Sequence, residues 1–196
     1  MTPTHKVYIA GPEVFLPNGG EQMALKGKMA LEHGFFPSTM AEDALDPTGV
    51  TPFAFGCQIS AANEAMMRDA DLVIANLTPF RGISADIGTA FEVGFMCALR
   101  KPAFGYTNTT RGYFERLSED FYHGATRKDA QGVMRGRDGL MLEDHGMVDN
   151  LMLDGGIEAL GCVLVQRQVS PERLLQDLDA FQECLRLARA HMDRIS

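Results

Sequence analysis

Glu92 is the only charged side chain between Asp86 and Arg100, set in the uncharged residues 87–91 and 93–99. A carboxylate is costly to remove from water unless something holds it. Glu92 is therefore either a structural carboxylate with a partner, or a nucleophile or general base kept in a dry cleft. Asp86, six residues earlier, stands at the predicted start of the same helix, where Asp commonly serves as N-cap. Gly88 and Gly94 lie inside that helix although each costs roughly 1 kcal/mol there relative to Ala. Such glycines point to close packing or to a ligand, and at Gly88 ligand approach is the better explanation. Tyr8, Asn63 and Asn150 are further polar groups of interest. Each also has a plain structural explanation: a core aromatic, an exposed helix face and a helix cap.

Several familiar chemistries find no footing. No G-x-G-x-x-G follows the first apolar run, no P-loop is present, and no serine sits in a G-x-S-x-G turn. The five histidines and four cysteines show no metal-ligand spacing, and Cys57, Cys97, Cys162 and Cys184 lie too far apart in sequence for a CxxC pair. No cofactor and no metal is expected. The net charge of −8 disfavours a broad phosphate-binding surface, so nucleic acid is not expected as a partner. Without a signal-peptide pattern or an apolar stretch of 18 residues, the reading is a cytoplasmic protein without a membrane span.

The elements that must position these groups can be read from periodicity. Residues 6–11 and 71–77 are short apolar runs bounded by turn residues, predicted as buried strands. Shorter strands are expected at 35–37, 103–106 and 161–165. Helices are predicted over 21–33, 57–69, 86–99 and 150–159, with a loop at 40–56. Residues 107–146 read as a long loop with at most short helices, and such loops tend to be functional or mobile. Ser170 and Pro171 read as the N-cap and first position of a terminal helix over 170–194. Its apolar positions, Leu174, Leu178, Phe181, Leu185 and Ala188, are expected to pack on the domain or on a partner subunit. The whole, residues 1–196, is expected to be a single α/β domain with a parallel sheet of about five strands. Ligands bind such sheets beyond the carboxyl ends of the strands. The loop after Gly11, the loop 76–84 and the start of the Glu92 helix all converge there.

Three blocks of residues carry a resemblance. Val7-Tyr-Ile-Ala-Gly-Pro-Glu-Val-Phe15, Asp71-Leu-Val-Ile-Ala-Asn-Leu-Thr-Pro-Phe-Arg-Gly82 and Asp86-Ile-Gly-Thr-Ala-Phe-Glu-Val-Gly94 resemble the nucleoside 2-deoxyribosyltransferases. A fourth, Glu143-Asp-His-Gly-Met-Val-Asp-Asn-Leu-Met152, is also similar. The specific part is D-x-G-T-A-x-E with the P-F-R-G before it. The resemblance implies a flavodoxin-like three-layer sandwich, no cofactor, and transfer of 2-deoxyribose between the nucleobases of 2′-deoxynucleosides. It implies Glu92 as the nucleophile at the anomeric carbon, Tyr8 as its orienting partner and Asp86 as a ligand of the sugar 5′-hydroxyl. Gly11, Phe15, Asn63, Gly88 and Met152 are the implied substrate contacts. Asn63 stands where some members have an Asp facing the base, and an amide is a poor general acid. Asn150 would reach a neighbouring subunit's site, which implies a homo-oligomer with shared sites, built from dimers as a tetramer or hexamer.

The chemistry of the residues agrees. Breaking an N-glycosidic bond passes through an oxocarbenium-like state that a carboxylate stabilises and then captures, giving a covalent glycosyl-enzyme and a retaining ping-pong scheme. Phe91 and Phe95 beside Glu92 in sequence suit the exclusion of water that transfer requires. The related 2′-deoxynucleoside 5′-phosphate N-hydrolases carry Ser at the position matching Asp86. A carboxylate there would repel a 5′-phosphate, so nucleosides rather than nucleotides are the expected substrates. An N-glycoside hydrolase and a non-catalytic nucleoside-binding module are the alternatives.

Overall fold

A computed structural model of the chain describes residues 4–38 and 45–195. Part of the predicted loop at 40–56 falls outside them. Five parallel strands form the main sheet: β1 (His5–Ala10), β2 (Phe35–Pro37), β3 (Leu72–Asn76), β4 (Ala103–Thr107) and β7 (Leu164–Gln166), in the order β2-β1-β3-β4-β7. β3 and β4 are buried along their whole length, which is why residues 72–75 read as a continuous apolar run rather than an alternating one. Helices α1 (Gly19–Glu32) and α6 (Asp179–Ile195) pack together on one face. Helices α2 (Pro52–Asp69), α3 (Ile87–Ala98) and α5 (Leu151–Glu158) cover the other. This is the expected three-layer α/β sandwich, with the doubly wound strand order in which β1 and β3 flank the topological switch point.

Three expectations need correction. The second helix begins at Pro52, five residues earlier than predicted, because Thr51 caps it by accepting the Ala54 N–H (3.2 Å) and Pro52 suits the first helical position. The terminal helix begins at Asp179, not Ser170. Residues Pro171–Arg173 form a single 3-10 turn, and the Ser170 side chain makes no capping bond. The chain is held off the helical path there by Asn108, whose amide donates to the carbonyls of Leu174 (2.8 Å) and Asp177 (3.1 Å). Finally, the expected long loop 107–146 is partly ordered. It contains the short helix α4 (Tyr113–Arg116), a π turn (Leu117–Phe121) and an antiparallel hairpin of β5 (Thr126–Lys128) and β6 (Met134–Gly136).

From Asp179 onward the apolar stripe behaves as read. Phe181, Leu185 and Ala188 are buried with Cys184, and α6 packs against β4, β7 and α1. The C-terminal end of α2 is closed by Lys101, whose ammonium donates to the carbonyls of Met67, Arg68 and Ala70 (3.1, 2.5 and 2.5 Å). No helix among the described residues is long and apolar enough to cross a membrane.

Beneath the carboxyl edge of the sheet lies a fully buried polar hub. Glu13 and Lys26 are both completely inaccessible and form an ion pair. The same Glu13 oxygen, Oε1, accepts from Asn76 Nδ2 and from the Tyr106 hydroxyl (2.8 Å each). The Lys26 ammonium also lies 5.3 Å and 5.0 Å from the ring centres of Tyr106 and Phe181. The hub ties the turn after β1 to α1, β3 and β4. It also explains Gly11: a Cβ there would come within 2.1 Å of Glu13 Oε2.

Candidate active site

The strand β1 ends at Ala10 and the chain turns at Gly11–Phe15, so its last residues open onto the ligand edge of the sheet. Tyr8 sits on β1 with α3 packed above the sheet, and its hydroxyl donates to Glu92 Oε1 at 2.6 Å. Asp86 caps α3, its Oδ2 accepting from the Thr89 N–H (2.9 Å) and hydroxyl (3.1 Å). A side chain at position 88 would come to 3.1 Å of that same oxygen, so Gly88 keeps the space around Asp86 clear. At Gly94 an added Cβ would meet nothing within 4 Å among the described residues.

These groups line one cleft of about 900 Å³. Tyr8, Gly11, Phe15, Asn63, Asp86, Gly88 and Glu92 all contribute to its wall. Asn63 is half-buried in this wall rather than lying on an exposed face. Phe15 stacks on Phe80 with ring centres 5.5 Å apart, and the Arg81 guanidinium lies over both rings. Asn150 and Met152 do not line this cleft. Asn150 caps α5 by accepting the Met152 N–H (3.1 Å), and Met152 is 74% exposed.

The expected shielding of Glu92 by its neighbours needs amendment. Successive residues on a helix point about 100° apart, and Phe91 is turned to solvent, 57% exposed. Phe95 packs against the core at its edge, with the Arg68 guanidinium 4.9 Å from its ring centre. The apolar wall of the cleft comes instead from residues that the sequence analysis did not assign to the site. Gly20, Met23, Ala24 and Gly27 of α1 face it, as do Val14, Ile59 and Met66. The signal was present in the small residues 20, 24 and 27, which recur at helical spacing and share one face.

Electrostatics fit a poised carboxylate. Burial holds the Glu92 pKa above the ordinary glutamate range, the Tyr8 hydrogen bond pulls it back, and the Asp86 charge pushes it up again. Burial and the neighbouring carboxylate raise the Tyr8 phenol far above its usual value, so it stays protonated and remains a donor. Such an arrangement can present one aligned carboxylate oxygen to an electrophilic carbon while the other stays hydrogen-bonded. Among the described residues no group of three or more His, Cys, Asp or Glu side chains could hold a metal ion.

The family model for "Nucleoside 2-deoxyribosyltransferase" matches residues 7–152. An uncharacterised protein of Schizosaccharomyces pombe is 32% identical over 170 residues, which is 79% of this chain and 78% of that protein. The solved structure of a 2-deoxyribosyltransferase from Leishmania mexicana is similar with a TM-score of 0.56 and 28% identity, covering 92% of this chain and 98% of its own.

Proposed function

This chain belongs to the nucleoside 2-deoxyribosyltransferase family, and on that footing we propose that it moves 2-deoxyribose between nucleobases of 2′-deoxynucleosides through a covalent deoxyribosyl–Glu92 intermediate. The observation that carries the reading is the 2.6 Å bond from the Tyr8 hydroxyl to Glu92 Oε1 in the wall of the cleft. That bond fixes the carboxylate's rotation and leaves Oε2 for attack on the anomeric carbon. As the C–N bond lengthens, its electron pair goes to the leaving base, which takes up a proton from solvent; the acceptor base returns one to solvent when its nitrogen bonds to C1. The positive charge developing on the sugar is met by Glu92, and the C1–O bond forms. A second base then attacks from the side the first one left, with Glu92 as leaving group, so the configuration at C1 is retained. Asp86 binds the 5′-hydroxyl, and Gly11, Phe15, Asn63 and Gly88 contact base and sugar.

Asn150 and Met152 are taken to complete the site of a neighbouring subunit, in a homo-oligomer. The exposure of Met152, and of Ile87 (88%) and Phe91 on the helix that carries Glu92, supports that reading. Hydrolysis is the second reading. It draws on the outward turn of Phe91, which within one chain leaves Glu92 less shielded from water than transfer favours.

Product analysis tests the proposal. With 2′-deoxyinosine and excess adenine or cytosine, a new deoxynucleoside is expected, and little free hypoxanthine without added base. Release of hypoxanthine at the same rate with or without a second base supports hydrolysis, and absence of either product supports a binding module. Glu92→Ala is expected to remove turnover with the fold intact. Residual transfer within about tenfold of wild type would take Glu92 out of the nucleophile's role, since loss of a covalent catalyst costs far more.

A further inference from the structure

The segment that delivers Asp86 to the cleft is held from behind by a second buried ion pair. The Asp149 and Arg116 side chains are 1% and 4% exposed and meet at 3.1 Å. Asp149 Oδ2 also accepts the N–H of Ala85 (3.0 Å), the residue immediately before Asp86. Arg116 Nε donates to the carbonyl of Ile83 (2.7 Å), two residues further back. One ion pair therefore grips residues 83 and 85 at two points and fixes the direction from which the backbone enters α3. The pair is itself anchored. Arg116 donates to the carbonyls of Arg111 and Val148. Asp154 of α5 accepts the N–H groups of Val148 (2.8 Å) and Asp149 (3.0 Å). The other Asp149 oxygen, Oδ1, accepts the N–H of Asn150 (2.8 Å), so the same carboxylate sets the start of α5.

We propose that Asp149, with Arg116 as its counter-ion, is the positioning residue for Asp86 in substrate recognition; this rests on the reading of Asp86 as the 5′-hydroxyl ligand. The Asp86 bonds to Thr89 are both made by Oδ2. A ligand hydroxyl would meet the remaining oxygen, Oδ1, whose place depends on the backbone torsions of residues 85 and 86. A buried ion pair whose only task is cohesion can often be replaced by apolar groups without loss. Here the hydrogen bonds go instead to specific backbone groups of the segment leading into the cleft.

The test is the preference for a 5′-hydroxyl, measured as the ratio of kcat/KM for 2′-deoxyinosine to that for 2′,5′-dideoxyinosine in wild type, Asp149→Asn and Arg116→Lys. Asp149→Asn is expected to lose roughly ten- to hundredfold on 2′-deoxyinosine but no more than about threefold on the dideoxy substrate, because displacement of a binding group by about an ångström has effects of that order. Arg116→Lys keeps the charge but loses the planar fork, and a smaller fall in the ratio is expected. It reads the same ratio if Asp149→Asn does not fold. Equal losses on both substrates, or a ratio unchanged from wild type, would overturn the inference and leave the reading of Asp86 standing. A wild-type enzyme indifferent to the 5′-hydroxyl would overturn that reading and the inference with it.

Discussion

Replacing Lys26 by Met removes the cation from the hub under the β1 turn while nearly preserving side-chain volume. The Glu13 carboxylate would then be left fully buried with two neutral donors, Asn76 and Tyr106, on Oε1 and, among the described residues, no hydrogen-bond partner on Oε2. Removing one partner of a buried pair typically costs about 3–5 kcal/mol. In a chain of this size, 1 kcal/mol moves Tm by about 2–4 °C, so a fall of about 6–20 °C is expected. Adding Glu13→Gln should recover most of it. The carboxamide oxygen can still accept from Asn76 and Tyr106, and no charge remains to be desolvated. The assay is thermal unfolding of wild type, both single variants and the double variant, with the coupling read as a double-mutant cycle. A fall below about 2 °C for Lys26→Met, or a double variant as destabilised as the two singles added together, would refute the idea that the pair is coupled and needed for stability.

Two further predictions concern the cleft. Only the ionised Glu92 can attack, so kcat/KM should rise with pH through a pKa above the ordinary glutamate range, as burial dictates. Tyr8→Phe removes the bond that favours the charged form and should move this acid limb to higher pH, whereas Asp86→Asn removes a repelling charge and should move it lower; a limb unmoved by either substitution would contradict the assignment. The Asp86 carboxylate should also disfavour a 5′-phosphate, so dCMP and dGMP should be cleaved more slowly than the matching nucleosides; faster cleavage of the nucleotides would overturn this choice of substrate class.

The layered fold was legible where burial is complete. Residues 72–75 are an unbroken run of apolar side chains bounded by Asp71 and Asn76, the pattern of a short strand buried on both faces. Asp86 and Thr51 show two fates of the same kind of signal. The Asp86 cap was read from its place before an apolar helix. Thr51-Pro52 carries the same mark of a helix start, but the loop residues Asp46-Pro47 and Gly49 before it obscured the boundary. The terminal helix failed in the opposite way: Ser170-Pro171 has the right local chemistry, and a tertiary contact from Asn108 overrides it. Within the site, the motif residues of β1 and α3 could be placed from sequence, since one strand and one helix bring them together. Lys26 could not, because a lysine in a helical stretch reads as solvated until the carboxylate that holds it is known. The direction of Phe91, by contrast, follows from the helix period, which turns a side chain adjacent in sequence away from Glu92.

The most direct measurement is mass spectrometry of the protein quenched in acid after mixing with 2′-deoxyinosine in the absence of acceptor base. One deoxyribosyl group per chain is expected on the peptide that contains Glu92, and it should disappear when adenine is added before the quench. Turnover of the nucleoside with no such adduct in wild type, or an adduct that persists in Glu92→Ala, would contradict covalent transfer through this residue.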